Sequence, residues 1–361
     1  MKQIKVLYVL NEFSIGGGEA FCSGAASSVP PSVRIDFAVE KLNEQSDLYK
    51  KLNSLGTVFY VYPKVPGRHG LLNLFSLYKV IKSGHYDIVH SHRDYFNGGV
   101  LLCAKLAGVK RRISHAHLSC DGHFPFFKRI YISLQKALIR FAATDLWACS
   151  DTAGKCLYGC GKFKIINNFV DTAHFAYNPS SRAQTRKRFN LENNFVICHI
   201  GRFCKEKNHM FLLDVFAEVL KKDPAARLVL IGGGELENDI KKYAESLKIT
   251  DKTIFAGFCK DTSPFLQAAD LFAFPSLSEG FGIASIEAQA SGLPCLLAEG
   301  LDRHMAIINS YILPLDKNIW AERILSLKNV KIDRLPCAEE IKQAGFDIAA
   351  TAEVLAKEYT R

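Results

Sequence analysis

Short apolar runs recur along the chain, each followed by a polar or glycine-containing turn and then by a stretch with helical spacing. In the first half this pattern predicts strands at 4–10, 34–39, 57–61, 86–90, 111–116, 145–148 and 163–166. Helices are expected between them at 20–29, 45–55, 71–82, 95–107, 126–142 and 151–158. A second series predicts strands at 194–200, 227–231, 252–256, 270–274 and 294–297. Its helices are expected at 209–221, 235–247, 261–268, 282–290 and 320–327, with two short helices in 337–359. Alternating strands and helices imply parallel sheets covered on both faces, so the fold class is α/β. The first series ends near 165–175 and enters a polar stretch, 177–187, where the domain boundary is expected.

In open parallel sheets ligands sit beyond the carboxyl ends of the strands. The loops of interest are therefore 16–19, 92–99 and 117–122 in the first half, and 201–208, 232–235 and 278–294 in the second. Two such domains in tandem are expected to leave a cleft between them as the default binding site.

A chain of 361 residues fits two domains of ordinary size. No apolar run reaches the ~18 residues needed to span a bilayer. The opening MKQIKVLYVLNEF lacks a small-residue cleavage site and reads as a first strand, which makes an intracellular protein the expectation. Eleven cysteines, odd in number and irregular in spacing, read as reduced core residues, with Cys156 and Cys160 the closest approach to a CxxC pair.

The net charge of +10 fits nucleic acid, an anionic membrane surface or anionic substrates. Nothing in the sequence resembles a nucleic-acid motif. Segment 124–142 carries Lys128, Arg129, Lys136 and Arg140 among apolar residues. It reads either as a core helix with a snorkelling basic edge or as a helix lying on anionic lipid.

Candidate chemistry falls on the loops. Gly16, Gly17 and Gly18 follow the first strand without forming a GxGxxG fingerprint; they read as a close backbone approach to phosphate or sugar, or as a flexible turn. His90, His92, His115 and His117 lie at or just past strand ends, in two i, i+2 pairs. Such pairs can suit a metal, but no acidic or cysteine ligand recurs nearby at metal spacing, and no metal is expected. In GRFCKEKN, Gly201 allows a close turn while Arg202 and Lys207 supply two cations. In SEGFGIASIEAQASGLP, residues 278–294, Glu279 and Glu287 flank a glycine turn that opens a helix.

GRFCKEKN, LVLIGGGELE, FAGF and SEGFGIASIEAQASGLP together resemble the donor half of glycosyltransferase family 4. DIVHSH, RRISHAH, ACSDTAGKCLYG and IINNFVD are similar to its bacterial exopolysaccharide and capsule members, so the resemblance covers nearly the whole chain. It implies the GT-B architecture, two Rossmann-like doubly wound domains facing across a cleft. The implied limits are an acceptor-binding domain at 1–168, a sugar-nucleotide-binding domain at 169–338, and a C-terminal helix in 339–361 crossing back to the first domain.

The resemblance also implies retaining transfer from a nucleotide-sugar donor, expected to be a UDP-sugar, to a lipid-linked or saccharide acceptor in cell-surface polysaccharide synthesis. Arg202 and Lys207 would hold the donor diphosphate, Gly17 would lie against phosphate or acceptor, Glu287 would bind the ribose, and Glu279 would sit at the transferred sugar. His117 matches the active-site histidine better than His115, and the pair stays open. With no metal and no resident cofactor, cations and backbone N–H groups must stabilise the departing diphosphate. The N–H groups of Phe281, Gly282 and Ile283 at the helix start suit that task. Retention is expected by front-face substitution, so Glu279 is not a nucleophile.

The implied location is the cytoplasm, with peripheral attachment to the inner face of the plasma membrane left open, and no nucleic-acid partner is expected. Two departures stand out: Arg303–His304 replaces an acidic loop, and Phe169 replaces a linker glycine after Asn168. The altered loop leaves room for an inactive nucleotide-sugar- or membrane-binding subunit of an assembly complex. A sugar-nucleotide epimerase of the same architecture is a further alternative.

Overall fold

Val6, Leu7, Tyr8 and Val9 are all fully buried, so consecutive side chains on opposite faces of the first strand are both covered. That is the signature of a parallel sheet sandwiched by helices. The computed structural model describes residues 3–13, 17–62, 70–118, 125–159 and 161–361. Two compact units result: Met1–Phe169 with Ile348–Arg361, and Val170–Asp347.

The first unit contains β1 (Ile4–Phe13), α1 (Gly17–Ser28), β2 (Val33–Leu42), α2 (Asp47–Ser54), β3 (Phe59–Val61), α3 (Gly70–Gly84) and β4 (Ile88–Ser91). It continues with α4 (Asn97–Leu106), β5 (Arg111–Ala116), α5 (Phe126–Ala142), β6 (Asp145–Ala148), α6 (Asp151–Tyr158) and β7 (Lys164–Ile165). Its seven strands run parallel in the order β3-β2-β1-β4-β5-β6-β7. The order reverses between β1 and β4, which makes the ends of those strands the topological switch point.

The second unit contains α7 (Thr172–Phe175), α8 (Pro179–Arg188), β8 (Val196–Ile200), α9 (His209–Lys222), β9 (Arg227–Ile231), α10 (Glu237–Ser246) and β10 (Thr253–Gly257). It continues with α11 (Ser263–Ala268), β11 (Leu271–Phe274), α12 (Ile283–Ala290), β12 (Cys295–Ala298), β13 (Ser310–Leu313), α13 (Lys317–Leu327) and α14 (Cys337–Gln343). Its strands follow the same plan, β10-β9-β8-β11-β12-β13, with the reversal between β8 and β11. Both units are thus Rossmann-like doubly wound sheets.

The last helix, α15 (Ile348–Tyr359), belongs to the first unit. Leu355, Ala356 and Tyr359 join the core formed by Val6, Tyr8, Phe21 and Trp147. Residues 339–347, grouped with this helix on sequence grounds, lie in the second unit.

Other elements differ from the sequence expectation. The polar stretch 177–187 is largely helical: Asn178 caps α8 and Pro179 opens it. That helix is held by ion pairs of Arg182 and Arg186 with Asp270, so it has no apolar stripe to betray it. Strand β13 was missed because it is a sheet edge with only partial burial. Of α5, only Gln135, Ile139 and Ala142 are buried, while Phe126, Phe127, Ile130, Leu134 and Phe141 are exposed. The core-helix reading of that segment fails. Cys156 is disulfide-bonded, against the expectation that every cysteine is reduced.

Candidate active site

Three loops at the carboxyl edge of the second sheet are knitted into one surface by backbone hydrogen bonds. Phe203 N–H donates to Gly233 O at 3.0 Å, and Leu236 N–H returns to Phe203 O at 3.0 Å. Leu277 N–H donates to Glu206 O at 2.7 Å. The loops after β8 and β11 flank the switch point, and the loop after β9 lies beside them.

Glycine is required here by contact as well as by conformation. Gly232 has φ 140°, and a Cβ there would stand 2.0 Å from Gly201 O. Gly282 has φ 69° and caps α12 from the left-handed region; its Cβ would meet Met305 Sδ at 2.9 Å. Phe281 is buried and Ile283 begins the helix, so the sequence-predicted helix start is where expected. The N–H groups at that helix start and the helix dipole favour an anion.

The two cations are both ion-paired. Lys207 is paired with Glu279, both side chains being largely buried, and its Nζ lies 5.1 Å from the Phe274 ring centroid. Arg202 bonds Glu235 at 3.0 Å in an exposed pair. The surface therefore brings Arg202, Lys207, Glu279 and the start of α12 together.

Glu287 lies one turn further along α12. Burial pushes its carboxyl up to about 7, opposed by His174 and by a hydrogen bond with Thr262. His174 Nε2 and Asp261 Oδ1 are 2.9 Å apart beside it. Sequence reasoning missed His174, Asp261 and Thr262. The signal for Asp261 and Thr262 was available, because they follow the end of β10. The departing Arg303–His304 loop is a single turn capped by Asp302, whose Oδ1 accepts from His304 N–H at 3.0 Å. Gln289 ties it to α12 by donating to Met305 O and accepting from Ile307 and Ile308 N–H.

In the first unit the four histidines predicted at strand ends do converge. His90 Nε2 lies 3.1 Å from His115 Nδ1, and His92 Nδ1 lies 2.8 Å from His117 Nε2. His90 Nδ1 also meets Tyr359 Oη at 2.7 Å, which in turn meets Tyr8 Oη at 2.7 Å. Burial lowers the pKa of all four rings, that of His117 to about 4, so they are neutral near pH 7. His115 is fully buried, whereas His117 is partly exposed. His90, His92 and His115 bring ring nitrogens within 4.8 Å of one another, a spacing a transition metal could use. His90, however, has both nitrogens engaged with Tyr359 and His115. Gly17 is the first residue of α1; Gly16 and residues 119–122 of the other predicted loop lie outside the described residues.

Residues 181–312, which hold all three loops of the second unit, match the family described as Glycosyl transferases group 1. The chain carries a glycosyltransferase group 1 domain. Its relatives are named glycosyltransferases. It is 28% identical to the putative glycosyltransferase EpsF of Bacillus subtilis over 99% of this chain and 96% of that one. It is 32% identical to UDP-Gal:alpha-D-GlcNAc-diphosphoundecaprenol alpha-1,3-galactosyltransferase of Escherichia coli, over 63% of this chain and 61% of that one. Capsular polysaccharide biosynthesis glycosyltransferase CapH of Staphylococcus aureus is 26% identical over 90% of each. The fold is shared with Anabaena Alr3699/HepE, solved with UDP and glucose, at TM-score 0.80 and 20% identity over 99% of this chain and all (100%) of that one. It is also shared with WaaG, a glycosyltransferase involved in lipopolysaccharide biosynthesis, at TM-score 0.75 and 18% identity over 98% and 99%. The enzyme therefore has the two-Rossmann GT-B fold.

Proposed function

We propose that this enzyme is a retaining, metal-independent glycosyltransferase of family 4 that moves a hexosyl group from a UDP-sugar to a lipid-linked or saccharide acceptor in cell-surface polysaccharide synthesis. The observation that carries the reading is the gathering of Arg202, Lys207 and the α12 N-terminus at the β8/β11 switch point. Cations and N–H groups fixed in place stabilise the charge that grows on a departing nucleoside diphosphate. Lys207 and Arg202 hold the diphosphate, aided by Phe281, Gly282 and Ile283. Glu287 accepts from the ribose diol, a role that suits a carboxylate with two acceptor oxygens. Glu279 lies at the transferred sugar and orients Lys207 until the donor arrives. His117 takes the active-site histidine's role because His115 is sealed in the core.

The relatives' names support the acceptor class: one acts on a diphosphoundecaprenol-linked sugar and one belongs to capsule synthesis. The structures solved with UDP support the nucleotide. A cytoplasmic protein resting on the inner membrane face follows from the same reading. Its support is α5, whose exposed Phe126, Phe127, Ile130 and Leu134 accompany Lys128 and Arg129. No helix among the described residues is long and apolar enough to cross a membrane.

The test is turnover of UDP-sugars with a polyprenyl-diphosphate-sugar acceptor in the presence of EDTA. Transfer with retained anomeric configuration is expected, lost in Lys207→Ala and Glu287→Ala. Tight donor binding without transfer to any of a broad acceptor panel would turn the reading toward an inactive subunit.

A further inference from the structure

We infer that His92 is a positioning residue that fixes His117 as a neutral hydrogen-bond donor through Nδ1, rather than as a base; this rests on the role given to His117 above. A neutral imidazole has one N–H and one bare nitrogen. The 2.8 Å contact between His92 Nδ1 and His117 Nε2 holds one hydrogen between the two rings. Either His92 donates it, leaving His92 Nε2 bare and His117 Nδ1 protonated, or His117 donates it and the pattern reverses. In both arrangements one N–H is left at an outer end of the pair. Among the described residues, the outer ends, His92 Nε2 and His117 Nδ1, are both shielded from solvent and have no hydrogen-bond partner.

The two ends differ in what can satisfy them. His92 is packed among rings: Tyr8 at 4.7 Å, His90 at 4.1 Å, His115 at 5.1 Å and Phe21 at 5.9 Å between centroids. A hydrogen on His92 Nε2 would stay buried and unpaired, which is costlier than a buried bare nitrogen. His117 is ringed as well, by His115 at 4.3 Å and Phe21 at 5.7 Å, but it follows the end of β5 and is partly exposed where His92 is buried, so its Nδ1 is the end that a ligand oxygen at the sheet edge can reach once the atoms covering it shift. The arrangement in which His92 donates is therefore the favoured one when a ligand oxygen accepts from His117 Nδ1.

The same short loop also fixes the backbone. Asp94 Oδ1 accepts from His117 N–H at 2.7 Å and from Leu118 N–H at 3.2 Å. Asp94 does so from the left-handed region, φ 52°. His92 and Asp94 thus grip His117 by its ring and its backbone from either side of Arg93. Arg93 itself is held by Glu40 at 2.6 Å, Asn11 at 2.7 Å and Tyr62 at 3.0 Å. As a neutral N–H donor, His117 would bind a hydroxyl or phosphoryl oxygen of the substrate and take up no proton.

Long-range 1H–15N spectra of the histidine-labelled enzyme, without and with UDP, read the tautomer directly. A protonated-type Nδ1 and a bare Nε2 are expected for His117 in the UDP complex. The same pattern is expected in His92→Asn, whose amide N–H stands in for Nδ1–H. In His92→Leu nothing pins the tautomer, so the His117 ring should show a mixture of the Nδ1–H and Nε2–H forms, with kcat down about tenfold or more and the donor KM within about threefold. Should His92→Leu not fold, the wild-type spectrum decides alone. A bare Nδ1 on His117 in the UDP complex overturns the inference, as does stoichiometric zinc on the quartet. His117→Ala separates the two levels: full turnover there removes the role of His117 in transfer and leaves the tautomer assignment to the spectra.

Discussion

Lys207, after β8, is ion-paired with Glu279, after β11, so the two loops that flank the switch point of the second sheet are joined by opposite charges. If Lys207 binds the donor as proposed, the diphosphate must take it from Glu279. Lys207→Ala should weaken UDP binding by about 10–100-fold, the loss of one charge-assisted hydrogen bond of about 1.5–3 kcal/mol. Glu279→Gln should leave UDP binding equal or tighter, because the competitor is gone, while lowering turnover. Calorimetric titration of both variants checks this. Equal weakening in the two would mean that Glu279 holds the nucleotide itself.

Gly232 and Gly233 are neighbours with opposite tolerance. Alanine at 232 would place Cβ 2.0 Å from Gly201 O at φ 140°, whereas Cβ at 233 meets nothing among the described residues closer than Glu237 Oε2 at 3.5 Å. Gly232→Ala should cost about 2–4 kcal/mol from strain and clash together. Gly233→Ala should stay close to wild type in thermal unfolding. Similar melting of the two variants would refute the close approach of the loops.

Glu287 gives stability a pH signature. Burial raises its carboxyl to about 7, above the unfolded value, so the folded state holds the proton more tightly than the unfolded chain. Its contribution is therefore fully present below the unfolded pKa and is lost as pH rises through about 7. Glu287→Gln, which stays neutral, should flatten that decline between about pH 4.5 and 7. Denaturant melts of wild type and variant across this range measure the difference; parallel curves would show that Glu287 ionises as freely when folded as when unfolded.

Most of the fold was legible because buried parallel strands announce themselves as apolar runs, as 227–231 does, and all the second-unit phosphate candidates sat where strands end. What was illegible depended on partners distant in sequence. Helix α8 is held through Arg182 and Arg186 on Asp270, far along the chain, so its composition reads as linker. His174 reaches Asp261 across 87 positions. The pairing of His90 with His115 and of His92 with His117 is diagonal, because the register of β4 against β5 places His90 opposite Ile113, two residues before His115. Spacing alone showed two histidine pairs and could not show which rings meet.

Tyr359 couples the last helix to the first core. Its hydroxyl contacts both Tyr8 Oη and His90 Nδ1 in a buried site. Tyr359→Phe leaves both partners short of a hydrogen bond and should destabilise by about 1–3 kcal/mol. Chemical denaturation monitored on Trp147, whose ring centroid lies 5.9 Å from that of Tyr359, reports it. An unchanged midpoint would show that the contact contributes nothing to the unit.

Helix α5 gives a separate prediction for membranes. Each basic residue near an anionic surface contributes about 1 kcal/mol. Reversing Lys128 and Arg129 to Glu should cut flotation with phosphatidylglycerol vesicles by tenfold or more, and Phe127→Ser should reduce it without altering the charge. Flotation that stays constant in both variants would remove α5 from membrane binding.

On the proposed reading, the second unit holds a nucleoside-diphosphate sugar by protein groups alone. Thermal unfolding of the whole enzyme in EDTA, with and without a saturating UDP-sugar, tests it most directly. A ligand at about 100 times its Kd adds about 2.7 kcal/mol of stability, so the melting temperature should rise by several degrees in the wild type and much less in Lys207→Ala. No shift with any sugar nucleotide, or a shift that appears only when a divalent metal is added, would contradict the account.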